Sequence, residues 1–352
     1  MFMKLIFFTF LVLLSSNFFS QDLAEKESEL NKSLLLLRGA TTDEEMTELN
    51  AKFKVKMLDF LKNEGALAHK FNSCKTISVL DSPDGLIRLI TWNIEYTDFT
   101  YAFDGVVMYF DDRKEKVKLF ELNDILDPYS ERPTGIIDAK NWYGALYYRM
   151  IPFERNGKME YVLLGWDGGT PGNNFKVMDV MTVSSNGVKF GSPVFKEKNT
   201  VHKRMIYEFS EQAKMTLTFD KKYNRIVMDH LSPEAQSLAG VKSYYVPDMS
   251  YDAFYLEDGM WYLREDIIAV NQGDAKKEIR QWKNPDEDRP GETVNHVART
   301  PESELESAKN EMNMVPKKVK SSKRESKNSL KVTTGKYKTK RKPRKFNEIN
   351  GQ

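Results

Sequence analysis

The chain is 352 residues long, 40% hydrophobic and 30% charged, with one cysteine and a net charge of +2. That composition excludes a polytopic membrane protein, a wholly disordered chain, a disulfide framework and any Cys-based zinc site. The charge is segregated. Lys317 to Lys345 hold fourteen Lys and Arg against Glu325, a net +13; only Lys4 and Glu348 are charged outside that stretch and residues 21–316, which therefore carry −11.

Met1 to Ser20 has Lys4, then an apolar run from Leu5 to Leu14, then Ser15, Ser16 and Ser20 before Gln21. This reads as a cleaved secretory signal peptide, because ten apolar residues fall well short of the roughly 20 that span a bilayer. Export to the periplasm, the cell envelope or the medium is expected, with no transmembrane segment after cleavage. No cysteine follows to accept a lipid, and the lone Cys74 fits a buried thiol.

Residues 21–70 read as a helical hairpin. Leu23, Leu30, Leu34 and Leu37 recur at helical spacing, Gly39 breaks the run, and Thr42 to Glu45 has the form of a capping box. Met46, Leu49, Phe53, Met57, Phe60 and Leu61 then share one face up to Gly65, a stripe expected to pack on the body; the alternative is a dimerising pair.

From Cys74 the apolar period changes to two, and residues 71–270 read as an antiparallel β domain. Strands are predicted at Thr76–Leu80, Leu86–Ile94, Tyr101–Phe110, Val117–Leu122, Ala145–Phe153, Met159–Trp166, Phe175–Val183 and Val188–Phe195. They continue at Arg204–Phe209, Lys214–Phe219, Arg225–Asp229, Ala253–Leu256 and Trp261–Arg264. Asn156-Gly157, Asn186-Gly187 and Asp258-Gly259 supply tight hairpin turns. Ser232-Pro233-Glu234 has the form of a helix start. The expected fold is mainly β: an antiparallel sandwich, a half-closed barrel or a small propeller, with the N-terminal αα-hairpin and a disordered C-terminal tail. Ser82-Pro83-Asp84-Gly85 resembles the start of a propeller blade, but it does not recur at a period near 40. Residues 271–352 are expected to be disordered, with Lys enrichment from 317.

No catalytic motif emerges. His69, His202, His230 and His296 lack metal-ligand spacing, so neither a metal nor a cofactor is expected, and there is no nucleophile elbow or P-loop. Carboxylates at predicted strand ends are the remaining candidates, because paired acids can hydrolyse glycosidic bonds. A pocket, if present, is expected near Trp92, Glu95, Asp98, Trp166, Asp167 and Asn173, where rings meet carboxylate and amide groups; Asp104 lies in the same neighbourhood. The Gly-rich stretch Asp167 to Asn174 reads first as a hairpin connection and second as a ligand rim. Pairs such as Tyr147-Tyr148 and Tyr244-Tyr245 send one ring to each side of a strand, so an open face could present an aromatic platform.

Four phrases carry a resemblance: Ser82-Pro83-Asp84-Gly85 with Arg88 to Asn93, Tyr161 to Gly168, Arg225 to Leu231, and Pro247 to Asp252. Over about Ile77 to Ala269 the chain resembles a family of uncharacterised, secreted, mostly β proteins from Gram-negative bacteria. The resemblance implies export and a shared β architecture and carries over no catalytic residue. The expectation is a non-enzymatic binding or structural module. Its polycationic tail, with Lys317, Lys318, Lys336, Lys338, Lys340, Arg341, Lys342, Arg344 and Lys345, would contact an anionic envelope polymer, lipid head groups or a glycan. The alternative is a hydrolase of glycans or envelope polymers. A dedicated nucleic-acid role is not expected from an acidic, exported body.

Overall fold

The computed structural model describes residues 22–124 and 127–267. The leader at 1–20 and the tail expected from 271 lie outside them. Two helices come first, α1 over residues 22–39 and α2 over Asp43–Leu61. The Thr42 side chain accepts from the Glu45 N–H at 3.2 Å, and the Glu45 carboxylate accepts from the Thr41 N–H at 3.1 Å. This is a capping box whose return bond reaches one residue early. Leu30, Leu34, Phe53, Met57 and Phe60 bury against Ile90, Trp92, Ile94, Val106 and Met108, so the hairpin stripe does cover the β body. Arg38 fastens it, donating to the Asn93 carbonyl at 2.6 Å and the Thr76 carbonyl at 2.9 Å. Burial pushes that guanidinium down to about 10.

Among the described residues the strands form three sheets, and none of these closes into a barrel. Sheet one is a meander of β1 (Ser78–Asp81), β2 (Ile87–Glu95), β3 (Tyr101–Asp111) and β4 (Lys116–Asn123). Sheet two contains β5 (Ile137–Asp138), β6 (Leu146–Arg155), β7 (Lys158–Asp167), β8 (Asn173–Ser184) and β9 (Gly187–Phe190), in the order β5-β9-β8-β7-β6. β10 (Phe195–Glu197) and β11 (Thr200–His202) begin sheet three, while β12 (Met205–Ser210) returns to pair with β8. β13 (Leu217–Asp220), β14 (Arg225–Pro233), β15 (Tyr245–Glu257) and β16 (Met260–Arg264) complete sheet three, in the order β11-β10-β16-β15-β14-β13.

Three apolar clusters set the order of layers. One joins the helices to sheet one, another joins Leu89, Phe103 and Val107 of sheet one to Tyr147, Leu163 and Met181 of sheet two, and the last joins Val162, Leu164 and Met178 to Phe254, Ile226 and Trp261 of sheet three. β2 and the second half of β7 are therefore buried on both faces. The near-continuous apolar run Tyr161–Trp166 of β7, a pattern usual in covered parallel strands, follows from that position, whereas β2 also buries the polar Arg88, Thr91 and Asn93.

Two expectations are corrected. Val188–Phe195 is two strands in different sheets, broken at Gly191, whose φ of +96° and close approach to the Gly135 carbonyl exclude a side chain. Ser232-Pro233-Glu234 does not start a helix. β14 runs on to Pro233, the Ser232 hydroxyl donates to Asp248 at 2.6 Å instead of capping, and only short 3₁₀ turns follow at Gln236–Leu238 and Lys242–Tyr244. The sheets are otherwise antiparallel as expected, with β10 and β16 paired in parallel.

Candidate functional site

The six residues singled out from the sequence divide into two groups. Trp92 is fully buried and faces α2, with Nε1 donating to Asn50 Oδ1 at 2.8 Å and its ring edge-on to Phe53 at 5.2 Å. Asp98 is an exposed turn residue that accepts from the Thr100 N–H and hydroxyl, bonds that hold its carboxyl below the usual range. Neither belongs to a common site. Glu95 does approach the others: it bonds the Tyr101 phenol, whose ring lies 5.1 Å from Trp166. Burial first, and Glu95 second, push that phenol well up. Asn173 shapes the loop behind the site, with Oδ1 accepting from the Thr170 N–H at 2.9 Å and Nδ2 donating to Glu208 at 2.8 Å.

Asp167, at the end of β7, is the centre. Its Oδ2 accepts from the Tyr143 hydroxyl at 2.9 Å and from Arg132 Nη2 at 3.2 Å, and its Oδ1 accepts from the Gly169 N–H at 2.8 Å. Burial, then the Asp167 charge, hold the Tyr143 phenol far above its ordinary range. Arg132 stacks 4.2 Å over Phe175 and donates to the Pro128 carbonyl, folding the connection after β4 onto the site. Two glycines are required by space. A Cβ at Gly168 would sit 2.2 Å from the Tyr101 ring, and one at Gly144 would sit 2.4 Å from the Asp124 carboxyl. Asp124 lines the same recess and accepts from the Phe103 N–H at 3.0 Å. The recess encloses about 10 Å³, room for one water molecule.

No protein-family model, curated protein or solved structure matches the chain.

Two further polar centres lie deeper. Asp179 on β8 accepts from Arg204 Nε at 2.8 Å and from the Tyr147 hydroxyl at 3.2 Å, while Arg204 Nη1 donates to the Pro133 carbonyl at 2.6 Å. Both charged side chains are wholly buried, and burial pushes the Asp179 carboxyl above its ordinary range even against Arg204. Three residues along β8 stands Lys176, buried, its Nζ 4.9 Å from the Tyr148 ring. Burial pushes its ammonium down to about 8, with the Asp229 charge working the other way.

The aromatic residues also divide. Trp142, Tyr143, Tyr147 and Trp261 are fully buried core. Tyr255 and Tyr262 are partly exposed on sheet three, where Arg264 lies 4.4 Å from the Tyr255 ring and Lys196 lies 5.4 Å from the Tyr262 ring. The recess residues missing from the sequence reading are Tyr101, Asp124, Arg132 and Tyr143. Tyr143 follows Trp142 with no polar pattern beside it to mark a site, and Arg132 meets Asp167 across 35 positions with no local pattern to mark the pairing.

Proposed function

We propose that the protein is an exported or envelope-associated binding module without catalytic activity, whose Lys-rich segment holds anionic polymers while the stacked sheets serve as its rigid body. The observation that carries this is the charge segregation, +13 over Lys317–Lys345 against −11 over residues 21–316. Clustered cations displace the counterions condensed on a polyanion, and the entropy gained drives binding. The leader-like Met1 to Ser20 and the resemblance to secreted β proteins support export.

The paired-carboxylate hydrolase is the weaker reading. Asp124 and Asp167 line one recess, but it has room for a single water, and both Asp167 oxygens are engaged by Tyr143, Arg132 and the Gly169 N–H. A sugar ring has no seat there.

The test is truncation after Val315. On a heparin column at low salt the full chain is expected to be retained and the truncated chain to elute early. Equal retention of the two would defeat the proposal.

A further inference from the structure

The outer face of sheet three carries a row that crosses four strands. Lys196 of β10 pairs with Tyr262 of β16, Tyr262 with Tyr255 of β15, and Tyr255 with Arg225 of β14. Directly paired residues share a face, and successive residues along a strand alternate. The neighbours Phe195, Trp261, Phe254 and Ile226 fill the core between sheets two and three, so the row points away from it.

Cations stack along this row. Arg264 lies over Tyr255 and Lys196 over Tyr262, and at the β13–β14 turn Lys222 and Arg225 each lie 4.8 Å from the Tyr223 ring. Two carboxylates answer them, Glu257 at 2.5 Å from Arg264 and Asp220 at 3.1 Å from Arg225. Four cations against two acids make a positive strip in a stretch of chain that is −11 overall. Arg264 and Glu257 are both about half exposed, so an incoming anion can displace one for the other at small cost. Ile267, the last described residue, packs on Val227 and Ala253 of the same sheet, and its N–H donates to the Tyr251 carbonyl at 2.8 Å.

We propose that this row is the body's own contact for a linear acidic polysaccharide, the ligand class proposed above for the Lys-rich segment. The inference rests on the anionic-polymer reading above and names its ligand class. Sugar rings offer apolar C–H faces to the partly exposed Tyr262 and carboxylates or sulfates to Arg264 and Lys196. A nucleobase needs a bare ring to stack on, and the Arg264 guanidinium covers Tyr255. A bilayer needs apolar side chains standing proud of the surface, whereas these rings lie among cations.

The test uses the full chain and a heparin-derived decasaccharide, with affinity measured across a NaCl series. The double variant Arg264→Ser/Lys196→Ser is expected to bind about fivefold to tenfold more weakly at low salt, with the slope of log K against log salt reduced by about two. Tyr262→Leu is expected to weaken binding about threefold with the slope unchanged. Oligo-dT of matched charge and anionic vesicles are expected to bind all variants alike. An unchanged decasaccharide affinity and slope in the double variant would overturn the row proposal, as would an equal loss for oligo-dT or vesicles. Failure of the anionic-polymer reading is separately visible, as absence of decasaccharide binding by the unmodified chain.

Discussion

Arg204→Met is expected to destabilise the protein by about 3–5 kcal/mol at pH 7, the range for breaking a buried ion pair from one side. Arg204 and Asp179 are both fully buried, and without the guanidinium the Asp179 carboxylate keeps only the Tyr147 hydroxyl and the Val180 N–H as donors. The carboxyl must then take up a proton to remain buried. Its folded pKa lies above the unfolded value, so the penalty is present at neutral pH and shrinks as pH falls toward the ordinary carboxylate range. Urea denaturation at pH 7 and pH 4.5 checks this: the gap between the variant and the parent should narrow at the lower pH. Adding Asp179→Leu should recover most of the loss, because it removes the stranded charge. A single variant as stable as the parent at pH 7 would contradict a buried, ionised pair.

Lys176→Met is expected to act in the opposite direction and raise stability at pH 7 by up to about 3 kcal/mol, the worth of moving a lysine from its ordinary value down to about 8. Below pH 8 the lysine is charged in both folded and unfolded chains, and the folded chain bears the cost of burying that charge. Between pH 8 and the unfolded value the unfolded chain binds more protons, so the stability of the parent rises with pH across that window. The buried phenols work the other way only above about pH 10, where unfolded tyrosines begin to ionise first. Melting curves from pH 7 to 9.5 should therefore show the parent catching up with the variant. Parallel curves would mean that Lys176 is not held in a low-dielectric site.

The helical hairpin was legible because Leu30, Leu34 and Leu37 and the Thr42 cap are local signals, and tertiary packing reinforced them. Most strands were legible for the same reason, since each needs only its own alternation and a turn. Assignment to layers was not legible. Trp92 and Trp166 sit in similar sequence contexts, yet Trp92 packs on α2 and Trp166 packs on Tyr101, because β2 is covered on both faces and alternation cannot say which cover each residue meets. Local cap chemistry at Ser232 was overridden by Asp248, sixteen residues on. The centre of the recess, Asp167, was found because it ends a strand beside glycines, whereas Arg132 and Asp124 reach it from an irregular connection.

Binding driven by the Lys-rich segment has one direct signature, its salt dependence. The affinity of the full chain for heparin, measured from 50 to 200 mM NaCl, should fall by about a hundredfold or more, since several of the fourteen cations in Lys317–Lys345 would release counterions together. An affinity that changes by less than about threefold over that range would contradict a polycationic binding module.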